Sequence, residues 1–207
     1  MVLFWRTADI YSNWHPASFV EDGIQFANTE QYMMWRKAKL FGNDELAVAM
    51  LAISNPRKLK ALGRTVQGYQ EDVWERERVL VMVRACYLKF SQNSAMREEL
   101  LATGERLLVE ASPDDCVWGI GLAEDDPRAL SLSQWQGRNL LGYALMEARR
   151  MLSDGSPSTV EAVLVPEQQQ SARPDRHATG ADRCAGRDQA LCPVPGPVKN
   201  SGTPDLQ

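Results

Sequence analysis

No phenylalanine, tryptophan or tyrosine occurs between Asp154 and the last residue, Gln207. Proline, glycine, glutamine and serine fill that stretch, as in Pro193-Val194-Pro195-Gly196-Pro197. Such a segment buries too little apolar surface to offset the entropy of ordering its chain. Any globular core is therefore confined to the residues before it. Residues 154–207 read as a disordered Pro/Gly-rich tail, with at most a short helical or extended piece at Val160–Val165. Cys184, Cys192 and His177 fall in this tail, where solvation without a ligand role is the expectation.

The remaining length suits one globular domain, residues 1–153. Net charge is −4, from 23 basic and 27 acidic residues. That gives no overall basic field for gripping nucleic acid, although a local patch stays open. The four cysteines contain no C-x-x-C pair, so no zinc site is expected. Cys86 lies in an apolar helical run and reads as a core residue. The opening MVLFWRTADIY lacks the charged start and long apolar run of a signal peptide. No window approaches the ~18 apolar residues of a membrane span. The expectation is a reduced, cytoplasmic protein with no membrane, no metal and no cofactor.

Short apolar runs at Val2-Leu3-Phe4-Trp5 and Leu107-Leu108-Val109-Glu110 read as strands. Ser18–Glu21 and Ile24–Phe26 flank Asp22-Gly23, a strong hairpin signal because both turn residues must tolerate positive φ. Helical patterns follow at 30–40, 45–53, 57–62, 70–90, 94–102 and 139–152. Gly42 is placed to cap the first in a left-handed conformation, and Asp44 to cap the second. Residues 122–137 read as a polar loop around Trp135. The fold class is α+β, predominantly helical: a compact single domain with a small N-terminal hairpin rather than a wound βαβ sheet. Neither G-x-G-x-x-G nor a Walker loop occurs, which disfavours a Rossmann or P-loop nucleotide site.

The helix that opens at Asn28-Thr29-Glu30 holds the most informative residues. Asn28 or Thr29 can cap it, and Glu30 sits where the helix dipole favours a carboxylate. Tyr32, Met33, Met34 and Trp35 make most of it a buried helix. Glu30 and Lys37 stand two turns apart on one face. They either pair structurally or form a site. Burial beside Met and Trp would disfavour ionised Glu30 and suit a general acid, whereas Lys37 would favour the ionised form. His15 is the only histidine before the tail. Standing before Pro16, it reads as exposed or structural, and a triad hydrolase is not expected. Trp5, Trp14, Trp74, Trp118 and Trp135 lie at element edges or in loops, where they can serve as stacking plates. Trp118, set between polar and glycine residues in Asp115-Cys116-Val117-Trp118-Gly119, is the best candidate. The glycines there point to a close backbone approach.

An ordered set of motifs runs through the domain: Phe4…Tyr11-Ser12-Asn13-Trp14, Gly23-Ile24-Gln25-Phe26, Thr29-Glu30-Gln31-Tyr32…Lys37-Ala38, Trp74, Leu88-Lys89-Phe90-Ser91-Gln92-Asn93, Leu100-Leu101-Ala102-Thr103-Gly104, Leu108-Val109-Glu110, Asp115…Trp118-Gly119-Ile120-Gly121 and Asn139-Leu140-Leu141-Gly142…Leu145-Met146-Glu147…Arg149. Together they resemble the NADAR (NAD- and ADP-ribose-associated) family, which includes YbiA-like N-glycosidases of riboflavin-intermediate metabolism. The resemblance covers about residues 3–152. It implies a YbiA-like fold and hydrolysis of the bond between a ribose and a base-like nitrogen. The implied substrate is a phosphoribosylamino-pyrimidine intermediate of riboflavin synthesis or ADP-ribosylated guanine in nucleic acid. Glu30 and Lys37 match the family's motif helix and Asp115 its pocket segment; the catalytic assignment is Glu30 for acid–base work, Asp115 for the water or the ribose hydroxyls, and Lys37 beside them. Asn13, Trp74, Trp118, Gly119 and Asn139 match pocket positions, with Trp118 or Trp74 to stack on the base. Lys37, with Arg6, holds phosphate, or Lys37 attacks ribose C1 as a Schiff base after ring opening. Gln31 departs from the pattern, since many members carry histidine after the glutamate. The 122–137 loop is also longer than the family pattern. The alternative is a module that binds ADP-ribose or a nucleotide without cutting it; a plain structural protein is a third reading. Catalysis requires Glu30 and Lys37 to open into the cleft that the 115–121 loop walls off.

Overall fold

The computed structural model describes residues 1–154. Strand β1 (Val2–Phe4) leads into a long loop, and a hairpin of β2 (Phe19–Glu21) and β3 (Ile24–Phe26) follows. The two hairpin strands pair antiparallel, Phe19 opposite Phe26. Asp22 and Gly23 turn the chain at φ 48° and 77°, as the dipeptide demands.

Helix α1 (Thr29–Leu40) leaves the hairpin and lies among α2 (Asp44–Leu51), α3 (Pro56–Gly63) and α4 (Glu71–Gln92). Asn28 is its N-cap: Oδ1 accepts from the Gln31 amide at 2.9 Å. Tyr32, Met33 and Ala38 of α1 meet Met50, Leu59, Met82, Cys86 and Phe90 in the main core. The left-handed Gly42, φ 71°, turns α1 into α2. Asp44 is the first residue of α2 rather than its cap. Asn43 stands in the cap position, and its side chain bonds Phe41 O, Gln67 O and the Gln67 amide instead. Helix α5 (Ser94–Ala102) ends at Gly104, φ 55°.

Strand β4 (Leu108–Glu110) returns parallel to β1, with Val2 opposite Leu108 and Phe4 opposite Glu110. Helix α6 (Leu140–Asp154) packs on β4 and α4. At Gly142 the contact is backbone to backbone, because an added Cβ would lie 2.1 Å from the Leu108 carbonyl oxygen. Side chains of β4 alternate between two cores. Leu108 belongs to the main one, while Val109 joins Ala111, Ile120, Leu122 and Ala129 in a second. Period two therefore aims Glu110 to the Leu108 side, toward α1.

The second core corrects the expectation of a polar loop at 122–137. That stretch forms two 3-10 turns, Pro127–Leu130 and Leu132–Gln134, and Trp135 packs on the cluster while its Nε1 donates to Ala129 O at 2.9 Å. The polar residues are the outer face of an element whose few apolar side chains are enough to seat it. Among the described residues no helix is long and apolar enough to cross a membrane. The tail readings, including Val160–Val165, His177, Cys184 and Cys192, lie outside the described residues.

Candidate active site

Two loops leave the carboxyl ends of the parallel strands β1 and β4. The first carries Asn13 and Trp14, the second Asp115 and Trp118, and they meet over the N-terminus of α1. The first loop is pinned by a buried lysine: Lys89 of α4 donates to Ile10 O at 2.6 Å and Ser12 O at 2.9 Å. Burial lowers the Lys89 pKa to about 8. Asn13, fixed by that loop, then clamps the start of α1. Its carbonyl accepts from the Glu30 amide at 3.1 Å and from Thr29 Oγ1 at 3.2 Å. Its Nδ2 donates to Glu30 Oε2 at 2.7 Å.

Glu30 is 2% exposed, and its Oε1 has no hydrogen-bond partner among the described residues. Burial is the main cause that raises its pKa, to about 7. Lys60 opposes the rise most strongly, Asp115 adds to it, and a hydrogen bond from the Trp14 side chain and, last, the Lys37 charge pull the other way. The sequence left open whether burial or Lys37 would dominate; burial does, and Lys37 is the weakest of these influences. The carboxylate is hydrogen-bonded by Asn13 and by the Trp14 indole, so a Glu30–Lys37 structural pair is not what holds the helix.

Asp115 shapes its own loop. Its Oδ1 accepts the amides of Val117 at 2.9 Å and Trp118 at 2.7 Å. Its Oδ2 lies 3.9 Å from Lys60 Nζ. A third carboxyl joins them: Glu110, buried, with Oε2 lacking a hydrogen-bond partner among the described residues. Its pKa is raised to about 8, first by burial, then by Asp115 and Glu30, with Lys60 opposing. Trp14, Lys37, Asp115 and Trp118 around Glu30 are half-buried and Lys60 is exposed, while Glu30 itself is sealed beneath them. The arrangement can hold a proton at neutral pH on a buried carboxyl while keeping a second carboxylate close by.

Residues 3–153 match the NADAR domain. The chain belongs to the NADAR family. It is 39% identical over 145 residues to the N-glycosidase R617 of Acanthamoeba polyphaga mimivirus, covering 68% of this chain and 85% of that one. It is 38% identical over 167 residues to protein irg-1 of Caenorhabditis elegans, covering 73% and 79%. The N-glycosidase YbiA of Escherichia coli K12 is 30% identical over 156 residues, 74% of this chain and 89% of YbiA. The NMR structure of E. coli YbiA superposes with a TM-score of 0.62 at 28% identity, covering 74% of this chain and 85% of that one.

On this NADAR scaffold Asn13 bonds Glu30 and Asp115 is its electrostatic neighbour, while Lys37 acts on it only weakly. Other expected positions have different surroundings. The Lys37 ammonium lies 4.1 Å from the Tyr69 ring centroid and 5.8 Å from that of Trp74. Trp74 is itself a core side chain, 6% exposed, which leaves little open face for stacking. Gly119 is required by its own chain, since a Cβ there would lie 2.9 Å from the carbonyl oxygens of Asp115 and Glu110. Both polar side-chain atoms of Asn139 bind β4, Oδ1 accepting from the Glu110 amide and Nδ2 donating to Leu108 O, each at 3.0 Å. Arg6 is exposed beside a turn closed by Asp9, and no hydrogen bond or ion pair among the described residues joins its side chain to Glu30 or Asp115. His15 is half-buried with Nδ1 against Thr7 O at 3.0 Å, a structural setting.

Glu110 and Lys60 were not singled out by the sequence reading. A charged residue closing an apolar strand was the available signal for the first. For the second it was the basic run Arg57, Lys58, Lys60 and Arg64, in a stretch without an acid between Glu45 and Glu71.

Gln31, the NADAR departure, has a structural explanation. Its Nε2 donates to Met50 O, Leu51 O and Ile53 O at 3.1, 3.1 and 2.9 Å, and its Oε1 accepts the Ala27 amide at 2.6 Å. It satisfies carbonyls at the end of α2, which stops at Leu51 rather than the expected Ile53. A neutral histidine offers a single N–H for the same task. Gln31→Ala is expected to cost about 2–3 kcal/mol by denaturant unfolding, with kcat retained below the melting range. Unchanged stability with lost turnover would instead put Gln31 in the chemistry.

Proposed function

We propose that this chain hydrolyses the bond between a ribose and a base-like nitrogen, with Glu30 as general acid. An N-glycosidase is the reaction class that the NADAR family membership supports, with relatives at 30–39% identity bearing that name. The observation that carries the assignment is the buried Glu30 carboxyl, with an unpartnered Oε1 and a pKa of about 7, beside Asp115.

Cleaving a ribosyl C–N bond builds positive charge on the sugar and negative charge on the leaving nitrogen. Glu30 gives its proton to that nitrogen as the bond breaks. Water attacks the ribose carbon and loses a proton to Asp115, whose Oδ1 is already fixed by two amides so that Oδ2 is the base. The products are a ribose bearing a new hydroxyl and the protonated base; transfer of the proton from Asp115 through solvent to Glu30 resets the site. The ionised carboxylate also stabilises the cationic sugar. Trp118 or Trp14 stacks on the base, and Lys37 takes a substrate phosphate. The substrate is a ribosylated compound of the phosphoribosylamino-pyrimidine or ADP-ribosyl-guanine type. A reducing, cytoplasmic setting accords with the buried thiol of Cys86.

The test is incubation of the full chain with the phosphoribosylamino-pyrimidine, ADP-ribosylated guanine DNA and NAD, reading released base. Release from at least one is expected; binding without release would favour a recognition module. The Lys37 assignment has its own check. Its placement over the Tyr69 ring suits a cation rather than an amine nucleophile. Borohydride added during turnover is therefore expected to trap no adduct. An adduct formed by the wild type and lost in Lys37→Ala would instead assign Lys37 to attack on a ring-opened ribose aldehyde, reduced as the imine.

A further inference from the structure

Glu110 has no part in the mechanism above, yet its position is over-determined. Its amide is held by Asn139 Oδ1 at 3.0 Å and its carbonyl accepts from Ile120 N at 2.9 Å. Pairing with Phe4 fixes the strand, and alternation sends the side chain to the α1 face. There the carboxyl is 8% exposed and Oε2 has no partner among the described residues. The groups that act on it are Asp115 from the loop after β4, Glu30 from α1 and Lys60 from α3. A buried carboxyl oxygen left unbonded beside two other carboxyls is costly to the fold. Glu30 Oε1 is in the same state, so two partnerless oxygens fall in one place. Among the described residues no group of three His, Cys, Asp or Glu side chains is arranged to hold a metal ion.

We propose that Glu110 is a substrate-contacting residue of this site, its carboxyl hydrogen-bonding a ribose hydroxyl next to the bond that Glu30 cleaves. The inference rests on the glycosidase reading. A ribose presents adjacent hydroxyls, each of which can both donate and accept, and carboxyls are their usual partners on proteins. Burial keeps the Glu110 carboxyl protonated up to about pH 8, so it binds the sugar without adding a second negative charge next to Asp115. Glu110 then recognises the sugar, leaving Asp115 to the water.

The experiment compares wild type, Glu110→Leu and Glu110→Gln as full chains. Each is assayed on the phosphoribosylamino-pyrimidine and on its 2-deoxyribosyl and 3-deoxyribosyl analogues, with thermal melting alongside. Glu110→Leu is expected to lose about 10- to 100-fold in kcat/KM on the ribosyl compound, with Tm unchanged or raised. On one of the deoxy analogues the same substitution should cost little more, because the contact is already absent. Glu110→Gln, which keeps a donor and an acceptor, should lose less. Should the leucine variant fail to fold, the glutamine variant carries the same ribosyl-against-deoxyribosyl comparison. Equal losses on all three compounds, or a lowered Tm with kcat/KM within twofold of wild type, overturn the inference and leave the glycosidase reading standing. A wild type that releases base from no ribosylated compound overturns both.

Discussion

Glu30→Gln is expected to lower kcat by about 10²- to 10⁴-fold, the range of a lost general acid, while the fold stays intact. Glutamine is nearly isosteric, and its Oε1 can keep the 2.7 Å bond from Asn13 Nδ2. The variant loses only the proton it would have delivered. Stability should move oppositely to activity. The folded pKa of Glu30 is raised from 4.5 to about 7, so the folded state holds the proton more tightly than the unfolded chain. That contribution is fully present below pH 4.5 and disappears as pH rises through about 7. By linkage it amounts to about 3 kcal/mol for a shift of this size. Wild type should therefore weaken relative to Glu30→Gln between pH 4.5 and 7, and the difference should level off above that. Urea melts of both proteins at pH 4, 6 and 8 measure it. Full turnover in the variant would remove Glu30 from the chemistry. A stability difference that does not change with pH would show that the carboxyl is not held protonated by its burial.

The elements visible in the sequence were those with local causes. Asp22-Gly23 could only make a tight turn between its flanking strands, and Pro56 after Asn55 could only start a helix. The α1 pattern of Tyr32, Met33 and Ala38 likewise forced a buried helix. Asn13, Glu30 and Asp115 were legible as a set only through the resemblance of their ordered motifs to the NADAR family. What each one touches was not legible, because it is decided by chain segments far apart. Asn13 looked like a pocket residue, yet its amide holds Glu30. Trp74 looked like a stacking plate at a helix start, yet it packs into the main core from α4, with Lys37 of α1 beside its ring. Lys60 lies on a short basic helix whose solvent-facing look concealed that α3 packs beside α1 and brings the ammonium to Asp115. Glu110 was hidden in a strand of only three residues, too short for alternation to declare a face until β1 and α6 fixed one on each side. The 122–137 stretch misled for a related reason: Leu122, Ala129 and Trp135 follow no period, and only folding back onto Val109 makes them a core.

Asn139→Ala should produce the largest loss of stability among the site-adjacent substitutions, about 2–4 kcal/mol. The side chain is 1% exposed and bridges two successive hydrogen-bonding positions of β4, the Leu108 carbonyl and the Glu110 amide. Removing it leaves both backbone groups buried and unbonded, at about 1–3 kcal/mol each before relaxation. The backbone adds to the loss. Asn139 sits at φ 53°, a left-handed conformation that asparagine tolerates better than alanine. For a domain of this size the expected fall in Tm is roughly 6–12 °C. Asn139→Gly separates the two causes: it relieves the φ strain but restores neither bond, so it should recover only the smaller part. The same variants decide whether Asn139 also binds substrate. With both polar atoms already committed to β4, KM measured below the melting range should stay close to wild type. A KM raised tenfold or more in a still-folded variant would mean that the amide leaves the strand to meet the ligand, and that β4 is free to move with it.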